Sequence, residues 1–156
     1  MDILLASDSH GRTSRLHELE SIPADQYLFA GDLCDDPSSI EKWTAVAGNN
    51  DQYLHIDLPE AAIIPAEGHQ ILLVHGHQFP ASVRKKKLAA LAGAYGCDIV
   101  VYGHSHVPDM DQVDDVVLLN PGSVFRSRDG EGPSYMMLHL DKDKAGAELV
   151  RKEFQK

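Results

Sequence analysis

Five times in the first two-thirds of the chain, a short apolar run stops at glycine set beside carboxylate, imidazole or carboxamide. Ile3–Ala6 leads into Asp8-Ser9-His10-Gly11, and Tyr27–Ala30 into Gly31-Asp32. Thr44–Ala47 leads into Gly48-Asn49-Asn50-Asp51, Ile71–Val74 into His75-Gly76-His77, and Ile99–Tyr102 into Gly103-His104-Ser105-His106. Apolar runs of this length bounded by turn residues read as buried strands. Glycine lets the backbone turn sharply where each run ends. In open α/β sheets, ligands bind beyond the carboxyl ends of the strands, so the pattern predicts several chemically able side chains on one edge.

Amphipathic stretches lie between the runs. Thr13–Ser21 puts Leu16 and Leu19 on one side, and Ser82–Tyr95 spaces Leu88, Leu91, Ala92 and Tyr95 as one helical face. Beyond Tyr102 the texture changes to strand-like segments, Val116–Leu119, Tyr135–Leu140 and Glu148–Phe154, separated by turn residues. The expected architecture is parallel α/β followed by an antiparallel meander, assembled as a two-sheet sandwich flanked by helices. At 156 residues with 43 % hydrophobic side chains, one globular domain over residues 1–156 is expected.

The residues at the five ends have a chemistry in common. His10, His75, His104 and His106 supply four imidazoles, Asp8 and Asp32 two carboxylates, and Asn49 an amide oxygen. Taken singly, Asp8-Ser9-His10 reads equally well as a helix cap, and Gly31-Asp32 and Gly48-Asn49-Asn50-Asp51 read better as turns. The paired imidazoles of the other two motifs are costly at strand ends unless they bind something. Together the motifs exceed the three or four ligands of one tetrahedral zinc. They suit two divalent ions about 3.5–4 Å apart that share a carboxylate and a hydroxide. A mixed N and O donor set without thiolate fits Mn²⁺, Fe²⁺, Ni²⁺ or Zn²⁺.

In this order, the five motifs resemble those of the calcineurin-like metallophosphoesterase superfamily. Within it, the chain is similar to the small single-domain phosphodiesterases of bacteria and archaea, down to Asn120-Pro121-Gly122-Ser123. The resemblance implies an α/β four-layer αββα sandwich, two mixed sheets flanked by helices. It implies a first ion on Asp8, His10 and His106, a second on Asn49, His75 and His104, and Asp32 bridging both. Manganese is the ion expected first. The implied reaction is hydrolysis of a small phosphodiester by a metal-bridging hydroxide, with Asp32 and Asn49 in the catalytic set. Homo-oligomers are common among such relatives. Two other readings stand beside this one: a non-catalytic scaffold, because a retromer subunit shares the fold, and a phosphomonoesterase or nucleotide phosphatase.

One position departs from the superfamily pattern. Many members carry His after the metal-binding Asn and use it to protonate the leaving group; here the residue is Asn50. His77 is the nearest substitute as a catalytic acid, with an orienting role as its other reading. Arg12, Arg126 and Arg128 are expected phosphate contacts. His17, His55, His69 and His139 read as solvated, Arg84-Lys85-Lys86-Lys87 as a solvated helix start, and Cys34 as a small core filler. A formal charge of −10 argues against non-specific nucleic-acid binding. No apolar run approaches the roughly 18 residues of a membrane span, and the N-terminus lacks a basic signal-peptide region. With two cysteines, the expected setting is the reducing cytoplasm. No phosphate-binding Gly-x-x-x-x-Gly-Lys loop or Gly-x-Gly-x-x-Gly is present.

Overall fold

A computed structural model describes residues 1–155. Strands β1 (Asp2–Ala6), β2 (Gln26–Phe29) and β3 (Trp43–Ala45) are separated by helix α1 (Thr13–Leu19) and a 3₁₀ turn over Pro37–Ile40. Helix α2 (Asn49–Tyr53), β4 (Ala61–Ala66), β5 (His69–Val74), α3 (Arg84–Ala94) and β6 (Ile99–Val101) follow. The chain continues as β7 (Asp109–Val113), β8 (Val116–Asn120), β9 (Ser134–Leu140) and β10 (Ala145–Arg151). Two five-stranded mixed sheets result, ordered β10-β9-β1-β2-β3 and β4-β5-β6-β8-β7.

The apolar runs are continuous because both faces of the central strands are covered. From β1, Ile3 and Leu5 enter the core between the sheets, where they join Ile71, Leu73, Ile99 and Val101. Leu4 and Ala6 point the other way and pack with Leu16, Leu19 and Phe29 beneath α1. On the far side, Leu72, Val74 and Val100 meet Leu88, Ala89 and Ala92 of α3. The predicted αββα layering is what these three cores build. No helix among the described residues is long and apolar enough to cross a membrane.

The C-terminal third departs from a meander. β8 runs parallel to β6, with Ile99 opposite Val117, and is antiparallel only to β7. β9 crosses to the other sheet and pairs antiparallel with β1, Leu4 opposite Met137. Two edge strands lie outside the sequence expectation. β7 is polar and largely exposed, so it carries little apolar pattern. β4 contains Pro65, which an edge tolerates because one side of the strand needs no ladder donor. β10 begins earlier than the predicted Glu148, because pairing with β9 extends back to Ala145.

Candidate metal centre

Parallel pairing of β1 with β2, β2 with β3, and β5 with β6 aligns their carboxyl ends. Asp8 and His10 follow β1, Asp32 follows β2, His75 and His77 follow β5, and His104 and His106 follow β6. Asn49 opens α2, one short turn beyond β3. Asp8 and His75 are fully buried and Asp32 nearly so, while His10 and His104 are half-buried.

Imidazole nitrogens and carboxylate oxygens converge there. Asp8 Oδ1 lies 3.2 Å from His106 Nε2, 3.7 Å from His75 Nε2 and 3.9 Å from His10 Nε2. Asp32 Oδ2 lies 3.5 Å from His75 Nε2 and 3.6 Å from His10 Nε2, between the two sides of the cluster. His10 Nε2 and His106 Nε2 face each other at 3.1 Å. Two overlapping groups are spaced to hold a cation: Asp8, His10 and His106, and Asp8, Asp32 and His75.

The orphaned atoms test whether cations fit. Asp8 Oδ1, His75 Nε2, Asn49 Oδ1 and His77 Nδ1 are buried without a hydrogen-bond partner. Buried polar atoms are rarely left this way, since each costs about 1–3 kcal/mol. His75 Nδ1 donates to the Ala30 carbonyl at 2.7 Å, leaving its Nε2 lone pair for the centre. All four are competent ligand atoms, and Asp8 Oδ1 and His75 Nε2 lie only 3.7 Å apart, so a divalent cation fits there.

Electrostatics agree. Burial pushes the Asp32 carboxyl up, but His75 and the two N–H groups of Asn50 outweigh it and hold Asp32 well below the usual carboxylate range. Burial lowers His75, yet Asp32 and Asp8 together raise it. These carboxylates raise the proton affinity of His75, and a cation at the same place would compete with a proton for its Nε2. Burial, then the charge of His75, lowers His104 to about 4.

Several supports were not legible as such in the sequence. Asp51 is fully buried, and its Oδ2 accepts from the backbone N–H of Asp32 (2.8 Å), Leu33 (3.2 Å) and Gly48 (2.9 Å). Its Oδ1 accepts from Cys34 N–H at 2.8 Å, so one carboxylate shapes the Asp32 loop. Ser7 Oγ and the His104 N–H donate to Asp8 Oδ2, at 2.5 and 3.1 Å. Asp8, His10, Asp32, His104 and His106 all adopt positive φ, between 44° and 74°. Left-handed backbone costs non-glycine residues roughly 1–2 kcal/mol each, so strain is concentrated at the candidate ligands.

The glycines act partly by a different route from the one predicted. Gly48 has φ −88° and needs no left-handed freedom. A Cβ there would lie 2.5 Å from Asp32 N and overlap Asp32 Oδ1. A Cβ on Gly103 would likewise lie 2.6 Å from Asp8 Oδ2. At both, the missing side chain makes room for a carboxylate.

Around this core, His104 stands with its ring 5.2 Å from that of His75. His77 is 5.5 Å from His75 and spends Nε2 on Gln52 Oε1 at 3.1 Å. Burial and the charge of His75 lower the proton affinity of His77. Asn50 turns inward: its N–H meets Asp32 Oδ1 at 3.0 Å and its Nδ2 meets Oδ2 at 2.8 Å.

Other expectations need correction. His69 is not simply solvated; its side chain is 11 % exposed and bridges Asp98 Oδ2 (2.6 Å) and the Asp141 carbonyl (2.7 Å). His17 and His139 are exposed but also paired, with Ser39 O and with Asp2 and Glu148. Within the basic run, Arg84 Nε donates to the Gly76 carbonyl at 2.9 Å, and Lys85 pairs with Asp109 and Asp111. Cys34 is half-buried beside Asp51 rather than in a core; burial first, then Asp51, Asp32 and Asp8, push its thiol up to about 12. Cys97 is the cysteine that fills a core.

Residues 1–143 match the family model described as the calcineurin-like phosphoesterase superfamily domain. The chain belongs to that superfamily. A Methanothermobacter thermautotrophicus relative named "Probable metallophosphoesterase" is 34 % identical over 80 % of this chain and 74 % of its own. The Escherichia coli K12 phosphodiesterase YfcE is 31 % identical over 90 % of this chain and 89 % of its own. Among solved structures, a conserved Streptococcus pneumoniae protein described as a predicted phosphoesterase superposes with a TM-score of 0.87 at 27 % identity, covering 96 % of this chain and 88 % of that one. Vps29 from Entamoeba histolytica, solved in complex with Zn²⁺, shares the phosphoesterase fold with a TM-score of 0.73 at 23 % identity, covering 96 % and 98 %.

Proposed function

We propose that this phosphoesterase-family chain is a binuclear, divalent-metal-dependent phosphodiesterase acting on small phosphodiesters. The convergence of Asp8, Asp32, His10, His75 and His106, with ligand atoms of Asp8 and His75 buried and unpartnered, carries the reading. Asp8, His10 and His106 would hold one ion, Asn49, His75 and His104 the other, and Asp32 both. Two such ions would supply Lewis acidity toward the phosphoryl oxygens and acidify a water enough to attack phosphorus.

The protein's own groups do the rest. Asn50 fixes the Asp32 carboxylate, Asp51 holds the Asp32 backbone N–H, and the Ala30 carbonyl fixes the His75 tautomer. Asn50 has no proton to give an alkoxide, and it is already committed to Asp32. His77, its proton affinity lowered and its Nε2 held by Gln52, orients the rim of the site. Substrates with leaving groups stable as anions, such as nitrophenolates, are therefore favoured, because a general acid typically contributes about 10²–10⁴-fold.

The test pairs elemental analysis with hydrolysis of bis(p-nitrophenyl) phosphate in the presence of Mn²⁺, Fe²⁺, Ni²⁺ or Zn²⁺. About two ions per chain and metal-dependent turnover are expected, with turnover largely lost in Asp32→Asn. A single ion at saturation, or undiminished turnover in Asp32→Asn, would count against the shared-carboxylate site. Absence of hydrolysis in fully loaded protein would leave the scaffold reading.

A further inference from the structure

The chain has six arginines, and they divide sharply by what they touch. Arg15 Nη1 donates to the carbonyls of Val124 (2.6 Å) and Phe125 (2.8 Å). Arg84 holds the Gly76 carbonyl, and Arg151 grips Asp129 at 2.7 Å and the Gly132 carbonyl at 2.8 Å. Arg12, Arg126 and Arg128 are exposed and enter no ion pair among the described residues, although acidic side chains outnumber basic ones 24 to 14. Arg12 lies two residues beyond His10, and the Arg128 backbone is hydrogen-bonded to that of His106.

The backbone that carries them is anchored to the candidate centre. The Arg12 guanidinium sits 5.2 Å above the Phe125 ring, and that ring lies 5.7 Å from His10. Arg126 follows Phe125, and its N–H is tied at 3.0 Å to Ser123 Oγ, which in turn donates to the Asp8 carbonyl at 2.7 Å. The Arg128 N–H donates to the His106 carbonyl at 3.1 Å. The carboxylate next to Arg128, Asp129, is already taken by Arg151 and Ser127. Arg15 and Ser123 thus clamp the arginine-bearing loop to the candidate centre, while its guanidiniums stay unpartnered in an acidic protein. Unpaired guanidiniums on an anchored backbone recognise phosphate through charge-assisted, often bidentate hydrogen bonds.

We propose that Arg12, Arg126 and Arg128 form an anion subsite on the His10–His106 side of the centre, which receives a second phosphate carried by the substrate. The substrate class is a phosphodiester whose non-leaving organic group bears a further phosphate. This rests on the phosphodiesterase reading for the reaction, but the subsite itself is testable by binding alone.

The experiment compares thymidine 3′,5′-bisphosphate with thymidine 5′-phosphate by titration calorimetry on Mn²⁺-loaded protein. The same protein is assayed on thymidine 5′-(p-nitrophenyl phosphate) with and without a 3′-phosphate. Wild type should bind the bisphosphate about tenfold or more tightly than the monophosphate. It should favour the 3′-phosphorylated ester in kcat/KM by a similar factor. Both ratios should fall toward one in the triple variant Arg12→Gln, Arg126→Gln, Arg128→Gln, whose circular dichroism and melting curve report its folding. Lys replacements keep the charge but not the bidentate fork, and should retain only part of the preference. A binding ratio near one in wild type, or a ratio that survives in the folded triple variant, would overturn the subsite. Bisphosphate preference in binding without hydrolysis of either ester would uphold the subsite and sink the phosphodiesterase reading instead.

Discussion

Asp51→Asn is the substitution whose effect follows most directly from the geometry. Three backbone N–H groups address Asp51 Oδ2 and one addresses Oδ1. The carboxamide keeps most contacts by placing its oxygen where Oδ2 was, which turns its NH₂ toward the Cys34 N–H. One acceptor is then replaced by a donor facing a donor, and a charge-assisted bond of about 1.5–3 kcal/mol is lost. The three surviving bonds become neutral and weaker. Opposing this, one of three buried carboxylates at the site loses its charge, which relieves repulsion with Asp8 and Asp32. The lost bonds should win, because Asp51 is fully buried and water cannot replace the acceptor. A net loss of about 2–3 kcal/mol corresponds to a fall of roughly 4–12 °C in Tm for a domain of this size. In Mn²⁺-loaded protein the deficit should be at least as large, since cations already offset the repulsion that the substitution relieves. Thermal unfolding with chelator and with saturating Mn²⁺ measures both cases, and amide exchange at Asp32, Leu33 and Cys34 should accelerate. Melting within about 1 °C of wild type in both conditions would show that Asp51 does not organise the loop.

Further expectations follow from single residues. Gly48→Ala should abolish the rise in Tm produced by divalent metal, because the added methyl collides with Asp32; an unchanged metal-dependent rise would contradict the packing argument. His69 has its pKa raised by Asp98 and Asp141 against the opposing effect of burial. Its stabilisation is complete below the unfolded value of about 6.5 and lost as pH rises through the folded value. The urea-midpoint gap between wild type and His69→Gln should therefore shrink from about pH 6 to about pH 9, and a gap that widens would reverse the sign. His77→Asn should slow aryl and alkyl diesters by the same factor, since burial lowers the proton affinity of His77 and its Nε2–H is already given to Gln52 Oε1; selective loss on alkyl esters would restore it as the acid.

Local chemistry determined much of this protein. Four-residue apolar runs ending beside glycine can hardly be anything but buried strands, and their polar termini had to meet once the strands ran parallel. Asp8, His10, Asp32, His75 and His106 were therefore legible as a cluster before any coordinates, as was the sandwich with helices on its outer faces. Other properties depend on residues far apart in the chain. Strand β8 looks the same in sequence whether it pairs parallel or antiparallel, and β7 has too little apolar pattern to declare itself. Asp51 reads as a turn residue until the Asp32 loop folds over it from 19 positions away. Asn50 reads as a missing acid, and only its contact with Asp32 shows what it does instead. The free guanidiniums of Arg12, Arg126 and Arg128 could not be told from paired ones, because pairing is a property of distance in space. Hydrophobic period is written in neighbouring residues, whereas the partner of a carboxylate or a guanidinium is chosen only when distant loops are brought together.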